Sequence, residues 1–162
     1  MTRHPAVLLT RLSREVYAEN AGGSYLTCII ARLDSASRTL TYANAGHPSG
    51  VLVGPLGRRL LSRGGPPAGL FAETTYETEI LAIADGDLGV LVIDGITEAI
   101  DKRRAATGDV LTRAIDGSSE PHTPDGVCKA LTDLAHRSRG PYGIADWQDD
   151  RTVLAFQFDG AI

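Results

Sequence analysis

Asp94, followed by Gly95, ends the apolar run "LGVLVI". A buried strand that stops in this way delivers a carboxylate to the rim of a sheet, where metal ligands and catalytic acids are often carried. Asp-Gly is also an ordinary turn pair, so the same two residues read equally as the start of a loop. Asp149 and Asp150, in "DWQDD", stand just before the last apolar run, "RTVLAFQF". If residues 151–158 pair beside residues 88–93, these acids meet Asp94 at one sheet edge despite their distance along the chain. Carboxylates that converge suit a hard divalent cation, which prefers oxygen ligands.

The elements that must position these acids follow from periodicity. Val7, Leu8, Leu12 and Val16 recur at helical spacing, Pro5 suits a first turn, and residues 20–23 end the pattern. From Ser24 the period changes to that of strands: "YLTCIIARLD", the turn "SASR" and the returning "TLTYANAG" make a hairpin. "GVLVG" and "RRLLS" around "PLG" make another, and "RGGPPAGLF" is a cluster of breakers. "TYETEILAI" and "LGVLVI" are further strands, helices follow near residues 110–115 and 124–139, and "RTVLAFQF" is the final strand. Strands, then helices, then a returning strand predict an α+β layered domain and argue against a doubly wound parallel sheet.

Composition sets the partners. The chain has 162 residues, 43% hydrophobic and 22% charged, which is enough for one domain with its own core. Its net charge is −4 and no run of Lys and Arg tracks a phosphate backbone, so nucleic acid is not expected as a partner. No stretch has the roughly 18 apolar residues that cross a bilayer, so neither a membrane partner nor a membrane span is expected, and Cys28 and Cys128 read as thiols of a reducing, cytoplasmic setting.

"YANAGHP", "GGPPAGL", "DGDLGVLVIDGITEA" and "DDRTVLAF", in this order and spacing, resemble the SpoIIE/RsbU-like branch of the metal-dependent PPM (protein phosphatase 2C-like) serine/threonine phosphatases. The resemblance runs from about Leu8 to Phe158, within a single partial domain spanning residues 1–162. It implies an αββα sandwich of mostly antiparallel sheets flanked by helices, with Mn²⁺ or Mg²⁺ held by aspartates at one end. A water activated by the metals would then attack a phosphoserine or phosphothreonine. Asp94 and Gly95 match the family's metal-binding "T-D-G" motif, although Ile93 stands where threonine is usual. Asp149 matches the terminal metal ligand, and Asp150 is either a further ligand or an acid that caps the turn before the last strand. In the family the "NAGHP" stretch ends a strand near the metals, so Asn44 and His47 either meet an outer-shell water or phosphate or orient the loop. Gly64, Gly65, Pro66 and Pro67 are expected to shape a turn beneath the site. Glu98 is expected to cap the segment after Asp94, and Trp147 to be buried against the last helix.

Family members begin with strands carrying a bridging aspartate, and the resemblance finds no counterpart of them before Pro5. Asp34 falls in a hairpin turn and does not replace that acid. The expected site is therefore incomplete and its Mn²⁺ or Mg²⁺ weakly held. Two functions follow from the resemblance: a phosphatase acting on a phosphoprotein of the partner-switching, anti-sigma antagonist type, or a catalytically inactive phosphatase-like module that binds a regulatory protein. A sandwich without its first strands has an unpaired sheet edge, so the chain is expected to form a homodimer unless its N-terminal helix covers the gap.

Overall fold

The computed structural model describes residues 4–20, 23–100, 107–117, 122–137 and 149–160. They fall into two compact units, Met1–His47 with Leu61–Ile83, and Pro48–Leu60 with Ala84–Ile162. The fold is α+β, with two mostly antiparallel sheets and helices, as the order of periodicities predicts.

The first unit opens with α1 (Pro5–Asn20), followed by β1 (Cys28–Asp34) and β2 (Thr39–Ala45). β1 and β2 pair antiparallel, and Asp34 Oδ1 accepts the Ser37 N–H at 3.0 Å to close their turn. That bond is the first cause holding the Asp34 carboxyl below its ordinary pKa. Cys28, Ile30, Ala43 and Ala45 alternate onto the face that receives Leu9 and Leu12 of α1. The helix register differs from the sequence expectation: Leu9 and Ser13 are buried, whereas Val7 is 53% exposed. Ser13 explains the rotation, since its Oγ accepts the Gly69 N–H at 3.0 Å and so tolerates burial in an apolar interface.

The cluster expected as a turn departs further from that reading. Gly64 and Gly65 form a short strand, β5, parallel to the end of β2, with Asn44 opposite Gly64. Their positive-φ freedom is not what is used. A side chain at Gly64 would place its Cβ 1.7 Å from the Asn44 carbonyl oxygen, so glycine is required for close backbone approach. β6 (Glu79–Ala82) pairs antiparallel with β2. It is shorter than "TYETEILAI" suggested, because the residues before it run as irregular chain.

The second unit carries β3 (Gly50–Gly54), β4 (Gly57–Leu61) except its last residue, which belongs to the first unit, β7 (Leu88–Val92) and β8 (Val153–Gln157), ordered β4-β3-β7-β8. Between β7 and β8 the chain forms α2 (Asp94–Ile100), α3 (Thr107–Asp116) and α4 (Pro124–Arg137). Val51, Val90 and Val92 on the sheet meet Ile96, Leu111, Ile115, Val127 and Leu131 from the helices in one core. At the opposite end of β7, Asp87 is fully buried. Its Oδ2 accepts the Ala84 N–H at 2.9 Å and a guanidinium hydrogen of Arg59 at 2.6 Å. No helix of the described residues is long and apolar enough to cross a membrane.

Tyr42 gives the first unit a pH response. It is fully buried, donates its hydroxyl hydrogen to Glu79 Oε2 at 2.5 Å and accepts the Arg63 N–H at 3.1 Å. Burial, then the bond to the Glu79 carboxylate, push its pKa from 10 up to about 12. The folded chain thus holds the phenolic proton more tightly than the unfolded chain, and stability present below pH 10 is lost as pH rises towards about 12. Urea unfolding across this window should show a loss on the order of 2 to 3 kcal/mol that Tyr42→Phe removes. Parallel pH profiles for the two proteins would contradict it.

Candidate functional site

β7 runs into α2 without a loop. Ile93 donates its N–H to Thr152 O at 3.3 Å, which is the last rung of the β7–β8 ladder, and the next residue, Asp94, starts the helix. Gly95, Ile96 and Ala99 turn into the core while Asp94 is exposed, so the acid stands at the rim above a buried apolar anchor. Its Oδ1 accepts the Gly95 N–H at 3.0 Å, and Thr97 donates its hydroxyl hydrogen to Asp94 O at 3.1 Å. The first of these bonds satisfies an N–H that a helix start otherwise leaves open and holds the carboxylate in place. Glu98, expected as the cap, is exposed further along α2, and Asp94 itself occupies the first position.

The second chain segment arrives through β8. The pairing Val92↔Val153 continues an antiparallel register that sets residues 149 and 150 beside the start of α2. Gly95 makes this approach possible: a Cβ there would lie 2.1 Å from the Asp150 carbonyl oxygen and 3.3 Å from Asp149 Cβ. Asp149 and Asp150 are exposed, and Asp149 Oδ1 accepts the Asp150 N–H at 2.9 Å. Asp94, Gly95, Asp149 and Asp150 therefore share one end of the second sheet.

Their chemistry fits a hard divalent cation in donor type, since Asp94, Asp149 and Asp150 offer carboxylate oxygens that reach solvent. The number of ligands is small. Among the described residues no group of three or more His, Cys, Asp or Glu side chains is drawn together to hold a metal ion. One or two carboxylates, several retained waters and substrate phosphate oxygens are nonetheless a usual environment for Mg²⁺.

Asn44 and His47 belong to the first unit. Asn44 is buried at the end of β2, where its Nδ2 donates to His47 O at 2.9 Å and Leu61 O at 3.0 Å. Its Oδ1 accepts the His47 N–H at 2.7 Å. These bonds use both ends of the amide to shape the "NAGHP" loop, which supports the loop-orienting alternative for Asn44. Gly46 takes a φ of 67° within that loop, and Pro67 packs against it at a distance no Cβ could tolerate. The Leu61 carbonyl was not legible as a partner, because it comes from a different hairpin. Trp147 lies outside the described residues.

The sequence matches the family described as Stage II sporulation protein E (SpoIIE) over residues 2–159. It is 25% identical over 99 residues to phosphoserine phosphatase RsbP of Bacillus subtilis (strain 168), an alignment covering 58% of this chain and 25% of RsbP. The match thus spans a quarter of that relative's length. Among solved structures, the phosphatase domain of SpoIIE from Bacillus subtilis aligns with a TM-score of 0.64 at 17% identity, over 100% of this chain and 77% of that one. The same domain has been solved from an Mn-presoaked form. The SiaA-PP2C domain of Pseudomonas aeruginosa aligns with a TM-score of 0.69 at 20% identity, over 97% of this chain and 62% of that one. At these identities the structures establish the shared PP2C-type fold.

Gly95→Ala separates two effects of opposite sign. Alanine is the better helix former by about 1 kcal/mol, whereas the collision with Asp150 O must displace the acidic segment. The collision is the larger effect: the variant should lose about 2 to 4 kcal/mol in urea unfolding. A gain in stability would show that residues 149–150 do not press on α2.

Proposed function

The chain belongs to the stage II sporulation protein E family, and from that membership we propose that it is a metal-dependent protein phosphatase acting on phosphoserine or phosphothreonine of a regulatory protein. The observation that carries the proposal is that the β7–β8 register and the close approach at Gly95 bring the chain at residues 149–150 beside the start of α2, where Asp94 stands. The name of RsbP, a phosphoserine phosphatase, supports the substrate class, and the Mn-presoaked SpoIIE domain supports the choice of cation. Under this reading the partners are a phosphoprotein and a second copy of the chain, with Mn²⁺ or Mg²⁺ as cofactor.

Asp94, Asp149 and the Gly95 carbonyl would hold the cation, with Asp150 beside them. A divalent ion bound there supplies a more acidic water and neutralises charge on the phosphoryl oxygens. The chain's own contribution is placement. The hydrogen bond from Gly95 N–H orients Asp94, and the bond from Asp150 N–H orients Asp149, so neither carboxylate needs to be ordered on binding. Exposure of all three acids leaves room for a phosphorylated segment of another protein to reach them.

Few protein ligands leave the cation largely hydrated, so the chain of residues 1–162 should bind Mn²⁺ weakly and turn over slowly. Calorimetry should lose the Mn²⁺ isotherm on Asp94→Asn. Phosphate release from a phosphoserine peptide should be Mn²⁺-dependent and fall at least about 100-fold in Asp94→Asn and Asp149→Asn, because even outer-shell partners contribute 10- to 100-fold. Release that is equal in all three proteins would refute the site. Release that is absent from the unsubstituted chain, with binding of a regulatory phosphoprotein retained, would favour the inactive-module reading.

A further inference from the structure

β8 is an edge strand, and its hydrogen-bonding parity can be read from both ends. Ile93 N–H bonds Thr152 O, and Phe158 N–H bonds Asp87 O, so the even-numbered residues of this stretch direct their backbone groups at β7. Val153, Ala155 and Gln157 direct theirs outward, where no strand of the described residues pairs with them and the Val153 carbonyl accepts only the Cys128 thiol, at 3.9 Å. Natural sheets blunt such an edge with charge or proline. Of the edge strands longer than two residues, β1, β4 and β6 each carry Arg, Asp or Glu, whereas β8, "VLAFQ", carries neither a charge nor a proline. Leu154 is 54% exposed on the face away from the helices, beside Leu91.

We propose that β8 is the dimerisation edge, on which two copies of the chain join antiparallel about a two-fold axis at Ala155. The sequence is self-complementary in that register. Ala155 pairs with Ala155 of the second copy, and Val153 with Gln157, so the outward N–H and C=O groups of the strand find backbone partners, the Val153 carbonyl exchanging its long thiol contact for the Gln157 N–H. Leu154 falls opposite Phe156 in a non-hydrogen-bonded pair, the kind in which side chains come closest. Just beyond the strand, Arg151 falls opposite Asp159 at both ends, and these opposite charges select this register over a slip of one residue. The joined β4-β3-β7-β8 sheets become one continuous sheet. The inference concerns the back of the strand and stands apart from the catalytic reading, since it uses none of Asp94, Asp149 or Asp150.

The test uses the chain of residues 1–162 in light scattering over a wide concentration range, with amide hydrogen exchange at its two ends. The expected result is a mass that rises from monomer to dimer. The Val153, Ala155 and Gln157 amides should become protected only as the dimer forms, while those of Leu154 and Phe156 are protected throughout. Leu154→Lys should raise the dimer dissociation constant at least about tenfold. Arg151→Asp and Asp159→Arg should each weaken the dimer several-fold, and the double exchange should restore it. A strictly monomeric mass overturns the proposal. So does a dimer in which the odd-numbered amides exchange at the same rate at every concentration, because its interface then lies elsewhere. Should Leu154→Lys fold poorly, the exchange pattern and the charge exchange still decide the question.

Discussion

The antiparallel register between β7 and β8 is the constraint on which the second unit depends. It joins segments that lie far apart in sequence, and its alternate rungs, with Leu88, Val90, Val92, Val153 and Ala155, also wall the core that receives α2, α3 and α4. A shift of one residue would turn Val153 and Ala155 away from those helices and expose their apolar surface. The register is therefore held by the burial of many groups, and the acids at its end inherit that rigidity without contributing to it. Asp94, Asp149 and Asp150 can stay exposed because buried neighbours fix the backbone that carries them.

Two polar side chains that enter the interior, Asp87 and Asn44, tie turns to strands. Asp87 closes the turn before β7 through Ala84 N–H and answers the charge of Arg59 on β4. Such a pair contributes little net stability compared with an apolar substitute. Removal of one partner, however, strands a buried charge and costs about 3 to 5 kcal/mol. Asn44 plays the neutral counterpart in the first unit, where one amide satisfies two carbonyls and one N–H. Both residues hold chain segments whose own backbone hydrogen bonds end at the sheet margin.

Much of this was legible in the residues themselves. Strand-type composition between turns identifies the β1–β2 hairpin, continuous apolar runs identify β7 and β8, and the helical period marks α3 and α4, because burial imposes those patterns on any chain. The order of elements excludes a doubly wound sheet, and Asp94 at the end of an apolar strand identifies the rim. The sequence also contains the condition for the site, namely that residues 151–158 lie beside residues 88–93.

Other features required the tertiary structure, because they depend on which surfaces meet. The buried face of α1 includes Leu9 and Ser13 and excludes Val7, since the partner for a serine hydroxyl, Gly69 N–H, comes from a distant loop. Gly64 and Gly95 read as turn residues from composition, yet each is glycine because another backbone passes where a Cβ would stand. Short-range pattern reports the period of a segment and the chemistry of its side chains. Which backbone passes within contact distance is decided by packing between segments remote in sequence, and no local pattern carries that distance.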